Sequence, residues 1–87
     1  MICYEKKTED LQIAKYERTV CGAVTEYILA KISEDVYSVT VIRNGEIASA
    51  AFEGSFFDIA DLFRKIVETD TLPENIYDIS EDFKYQN

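Results

Sequence analysis

The stretch Tyr37-Ser38-Val39-Thr40-Val41-Ile42-Arg43-Asn44-Gly45-Glu46-Ile47-Ala48-Ser49-Ala50-Ala51-Phe52 decides the fold. Asn44 and Gly45 both tolerate positive φ, which a two-residue type I′ turn requires, and each is flanked by a run rich in β-branched and apolar residues. The stretch therefore reads as a hairpin with one register. Arg43 faces Glu46, Val41 faces Ala48, Val39 faces Ala50 and Tyr37 faces Phe52. Because side chains alternate along a strand, one face of this ribbon collects Tyr37, Val39, Val41, Ala48, Ala50 and Phe52.

Working towards the amino terminus, Ser33-Glu34-Asp35 supplies turn formers, and before it Val24 to Ile32 reads as another strand that adds Tyr27 and Leu29 to the same face. Cys21-Gly22-Ala23 reads as a turn, with Leu11 to Val20 as the strand leading into it. If Val20 faces Val24, then Thr19 opposes Thr25 and Arg18 opposes Glu26, cross-strand pairs of up to ~1 kcal/mol each. Residues 1–10 are expected to form an arm or a frayed first strand. The expectation is an antiparallel meander of three to four strands.

Working towards the carboxyl terminus, Gly54 ends the sheet, and Ser55 with Asp58 gives a capping-box-like start to a helix from Phe56 to about Thr69. Phe56, Ile59, Ala60, Phe63, Ile66 and Val67 recur at spacings of three and four and form one apolar stripe. A second helix is expected from Pro73 to about Phe83, with Thr71 near its N-cap and Ile76, Ile79 and Phe83 as its apolar stripe. The whole chain of 87 residues is too short to divide into two self-sufficient cores, so it reads as a single α+β domain with the longer helix packed on one sheet face.

Composition narrows the chemistry. The chain has no histidine, which excludes Ser-His-Asp, Cys-His and His-zinc arrangements. Seventeen acidic against nine basic residues give a formal charge of −8, which repels phosphate backbones and anionic lipid. Nucleic acid and membrane are therefore not expected partners, and no stretch approaches the ~18 apolar residues a membrane span needs. Cys3 and Cys21 lack CxxC spacing and read as reduced structural thiols of a cytoplasmic protein. The three glycines are isolated, so no phosphate-cradling loop is present.

Other candidates for chemistry have plainer explanations. Glu74, Asp78, Glu81 and Asp82 cluster on the last helix without the loop pattern calcium needs, and read as a solvated face. The carboxylate pairs Asp58 with Asp61 and Glu34 with Asp35 read as capping and turn residues. No catalytic, cofactor-binding or metal-ligating residue is expected, and no cofactor.

The second sheet face gathers Ile28, Ala30, Ile32, Val36, Ser38, Thr40, Ile42, Ile47, Ser49 and Ala51, too apolar to stand wholly in water. Either the last helix or the amino-terminal arm covers it, or a second copy or another protein does. The residues expected at such an interface are Ile28, Ile32, Val36, Ile42, Ile47 and Tyr77, tyrosine being an amphipathic contact residue. The leading expectation is a non-enzymatic interaction or regulatory module that self-associates. The alternative is a small-molecule or cation binder with a pocket between sheet and helices lined by Tyr27, Tyr37 and Phe52. A third reading, acidic mimicry of nucleic acid towards a basic partner, follows from charge alone.

The segment Thr71-Leu72-Pro73-Glu74-Asn75-Ile76-Tyr77-Asp78-Ile79-Ser80-Glu81-Asp82-Phe83, with Glu26-Tyr27-Ile28-Leu29 and Ala48-Ser49-Ala50, resembles an uncharacterised family of small proteins from Gram-positive, spore-forming bacteria. The matching positions are Thr71 or Leu72, Pro73, Ile76, Asp78 and Asp82, with Leu in place of the family's residue before Pro. The resemblance covers roughly residues 20–85 and implies a cytoplasmic bacterial setting. It brings no catalytic or ligand residue, because the family has no assigned function.

Overall fold

A computed structural model describes residues 11–86; the expected arm over residues 1–10 lies outside them. Strands β1 (Leu11–Val20), β2 (Ala23–Ser33), β3 (Val36–Arg43) and β4 (Glu46–Glu53) form one antiparallel sheet in the order β1-β2-β3-β4. Helix α1 (Phe56–Glu68) follows, then a 3-10 turn (Pro73–Asn75) and helix α2 (Ile76–Gln86). The fold is α+β, a four-stranded meander closed by two helices.

The Asn44-Gly45 turn takes φ values of 52° and 82°, and every pairing read from it is present, Arg43 with Glu46 through Tyr37 with Phe52. The first hairpin is one step out of the expected register: Val20 pairs with Ala23, Thr19 with Val24, Arg18 with Thr25 and Glu17 with Glu26. Cys21 and Gly22 adopt φ 51° and 83°, the same left-handed pair as Asn44-Gly45, so the loop has two residues and Ala23 already belongs to β2. The expected Arg18 and Glu26 pair is replaced by Lys15 with Glu26 at 3.3 Å and Arg18 with Asp70 at 2.7 Å. Bulges at Ile13 and Ile32 each insert one unpaired residue and so reverse the odd-even face assignment of β1 and β2 beyond them.

The expected core face is the core. Tyr27, Leu29, Tyr37, Val39, Val41, Ala48 and Phe52 are buried beneath Ile59, Phe63 and Ile66 of α1 and Ile76 of α2. Full burial of a side chain such as Val39, Ile59 or Ile76 contributes roughly 1.5–3 kcal/mol. Helix α1 starts where Ser55 Oγ accepts the Asp58 N–H at 3.3 Å. It ends in a Schellman motif: Asp70, left-handed at φ 54°, donates its N–H to the Val67 carbonyl, and Thr71 N–H reaches the Ile66 carbonyl.

The segment after α1 departs from expectation. Pro73 opens a 3-10 turn rather than an α-helix, with Asn75 N–H donating to the Leu72 carbonyl at 2.9 Å, and the α-helical pattern begins at Ile76. Thr71 caps nothing. It is buried, its carbonyl accepts the Tyr27 hydroxyl at 2.8 Å, and its own hydroxyl lies 3.0 Å from that of Thr69. This buried bond ties the middle of β2 to the connector and so sets where α2 lies. Helix α2 runs beside β4 and delivers Ile76, Ile79 and Phe83 to the same side of the sheet as α1, with Phe83 edge-on to Phe52 at 5.6 Å. The small Ala48 and Ala50 admit this close approach. Among the described residues, no helix is long and apolar enough to cross a membrane.

Candidate functional site

Among the described residues, one face of the sheet carries no helix. On it Ile42 pairs directly with Ile47, Ile28 sits opposite Thr40, and Thr40 Oγ1 lies 3.0 Å from Ser49 Oγ. Ile47 is 68 % exposed and Val24 59 %. The expectation that the last helix covers this face does not hold, because α2 packs on the core side; the amino-terminal arm lies outside the described residues.

The six expected interface residues fall into three places. Ile28, Ile42 and Ile47 meet on the uncovered face. Tyr77 of α2 reaches Ile47 around the edge of β4, and the two share a shallow hollow of about 200 Å3 with Pro73 and Glu74. Ile32 is the bulged residue at the end of β2, and Val36, just across the β2–β3 turn at the same end of the sheet, pairs with Glu53 beside a hollow of about 470 Å3 whose other wall is Phe83 and Lys84.

The expected ligand pocket does not exist where it was placed. Tyr27, Tyr37 and Phe52 are at most 5 % exposed and fill the core. A larger hollow, about 660 Å3, opens instead between β1 and α1, lined by Ile13, Tyr16, Leu29, Phe56, Phe63 and Val67. The Tyr16 ring of β1, 5.9 Å from that of Phe63 in α1, spans it. Nothing in the sequence pattern announces this groove; the excess aromatic residues Phe56 and Tyr16, partly exposed in the structure, are its one available signal.

Of the charges that rim the groove, Arg18, Asp61 and Arg64 are paired within the chain. Arg18 holds Asp70, and Asp61 accepts from both Arg64 and Lys65. Hydrogen bonds from Arg64, then Lys65, hold the Asp61 carboxyl below the usual carboxylate range. Burial, reinforced by the nearby Asp70 charge and opposed by Arg18 and Arg43, pushes the Tyr27 phenol above its ordinary value, so it stays a hydrogen-bond donor at neutral pH.

The other sequence candidates sit in ordinary surroundings. Asp35 takes the left-handed turn position at φ 60°, and its carbonyl accepts Gly54 N–H at 2.9 Å. Asp58 is the acidic residue of the first turn of α1, its N–H held by Ser55, and Cys21 is exposed in its turn. Glu74, Asp78, Glu81 and Asp82 are exposed along the 3-10 turn and α2, and no group of three or more acidic or cysteine side chains among the described residues could hold a metal ion.

No protein-family model, no curated protein and no solved structure matches this chain.

Proposed function

We propose that the chain is a non-enzymatic interaction module that self-associates through the part of its sheet that no helix among the described residues covers. The observation carrying this reading is the sheet face that no helix among the described residues covers, where Ile47 and Val24 are each more than half exposed. A domain of this size gains most by burying such surface against another copy. The absence of histidine and the ion pairs that engage Asp61, Asp70 and Glu26 support a role without catalysis. The charge of −8 favours a protein partner over nucleic acid, and the exposed Cys21 suits a reducing, cytoplasmic setting. Light scattering across a concentration series tests the reading. A mass rising towards twice the 10.0 kDa chain supports it, and a constant single-chain mass to high concentration removes it.

A second reading is favoured by one observation. The β1/α1 groove of about 660 Å3 falls within the roughly 300–1,000 Å3 of small-molecule sites and is mostly apolar. A thermal-shift screen against apolar metabolites decides it, since a ligand at one hundred times its dissociation constant adds about 2.7 kcal/mol.

A further inference from the structure

Strand β1 is an edge of the sheet, and the two edges are treated differently. Helix α2 and the 3-10 turn run beside β4, whereas among the described residues nothing lies beyond the ten-residue β1. A long edge with unpaired backbone groups is a template for another strand. The two-residue turn at Cys21-Gly22 makes Val20 and Ala23 a hydrogen-bonded pair. Arg18 and Tyr16 therefore also bond inwards to β2, while Thr19, Glu17 and Lys15 turn their N–H and C=O outwards.

A second copy related by a twofold axis can use those outward groups only if odd-numbered residues face odd-numbered residues. Between the bulge at Ile13 and the turn at Cys21, the axes that bring Lys15 or Glu17 into the pairing pass at residue 15, 16, 17 or 18. At 15 it sets Lys15 against Lys15 of the second copy, at 17 Glu17 against Glu17, and at 18 Arg18 against Arg18, all like-charge oppositions. At Tyr16 alone, Lys15 faces Glu17 of the second copy and Glu17 faces its Lys15.

The single chain has a matching deficiency. Glu17 stands directly opposite Glu26 across β1 and β2, makes no ion pair among the described residues, and Lys15 leans diagonally to Glu26 at 3.3 Å. We infer that two copies pair antiparallel through β1 with the twofold axis at Tyr16, forming one eight-stranded sheet. The assembly brings the two Tyr16 rings together, joins the two β1/α1 grooves end to end, and makes the two uncovered faces one apolar platform.

This inference rests on the self-association reading and moves its contact from the sheet face to the β1 edge. In a C3S/C21N background, Y16C places thiols on directly opposed residues of a non-hydrogen-bonded pair, whose Cα atoms lie about 4.5 Å apart and within disulfide reach. Under mild oxidation Y16C is expected to cross-link readily, and E17C, two residues out of step across the axis, to cross-link poorly. E17K sets lysine against Lys15 of the other copy and is expected to weaken the dimer about tenfold, while the exchange K15E/E17K restores it to within about threefold. Equal cross-linking of Y16C and E17C, or an unchanged dissociation constant for E17K, overturns the register. If the dimer then persists and is lost on I47D, the contact lies on the uncovered face and the broader reading stands. A strict monomer at all concentrations removes both, and protection of the Lys15, Glu17 and Thr19 amides in a dilute monomer shows the edge already occupied by the chain itself and overturns the inference.

Discussion

Replacing Tyr27 by Phe deletes one hydroxyl from the centre of the molecule. Tyr27 is 0 % exposed, and its hydroxyl donates at 2.8 Å to the carbonyl of Thr71, itself only 6 % exposed. Removing the donor leaves that carbonyl buried and unsatisfied, a penalty of about 1–3 kcal/mol, partly offset because the phenol no longer has to be desolvated. The net expectation is about 1.5 kcal/mol, which for a domain of this size lowers Tm by about 6–12 °C. Urea unfolding at pH 7 should show a lower midpoint at unchanged slope.

The same residue gives a pH signature. Burial raises the folded-state pKa of Tyr27 above its unfolded value near 10. The folded chain therefore keeps the proton longer than the unfolded chain. Its contribution to stability is complete below about pH 10 and declines as pH rises through the folded-state value. Y27F should lack that component of the alkaline decline. A Y27F chain as stable as the parent at pH 7, with an identical alkaline profile, would refute the role assigned to this bond.

Three further substitutions probe the fold elsewhere. I59A empties a fully buried site between sheet and helices and should cost about 2–5 kcal/mol in urea unfolding. C21N places a residue that accepts left-handed φ where cysteine now sits at 51°, and should raise stability by about 0.5–1 kcal/mol in the same assay. D70A loses both the tolerance for φ 54° and the exposed ion pair with Arg18, and should cost about 1–2 kcal/mol, whereas D70G, which keeps the backbone at ease, should stay within about 0.5 kcal/mol of the parent by thermal unfolding.

Local chemistry made the central hairpin legible, because Asn44-Gly45 admits one tight turn and alternation then assigns every side chain to a face. The first hairpin uses the same geometry with a poorer signal. Cysteine carries no left-handed preference, so Cys21-Gly22-Ala23 read as a three-residue loop and the register slipped by one. The Arg18 contact was out of reach for another reason: its partner Asp70 lies far along the chain, at a helix end whose left-handed residue is Asp rather than the usual Gly. Pro73 marks a helix start in either geometry, and only the following bonds separate a 3-10 turn from an α-helix. On the site, Ile28, Ile42 and Ile47 were placed on one face by parity alone. The β1/α1 groove depends on where α1 settles across the sheet, a tertiary choice that an apolar stripe does not encode.

Amide hydrogen exchange of β1, read residue by residue at low and high protein concentration, tests the self-association account most directly. Lys15, Glu17 and Thr19 carry outward amides with no strand beside them among the described residues, while Tyr16 and Arg18 bond to β2. Protection of Lys15, Glu17 and Thr19 that rises with concentration, while Tyr16 and Arg18 are protected throughout, is the predicted result. Fast exchange of those three amides at every concentration, in a chain whose mass never exceeds one copy, would contradict it.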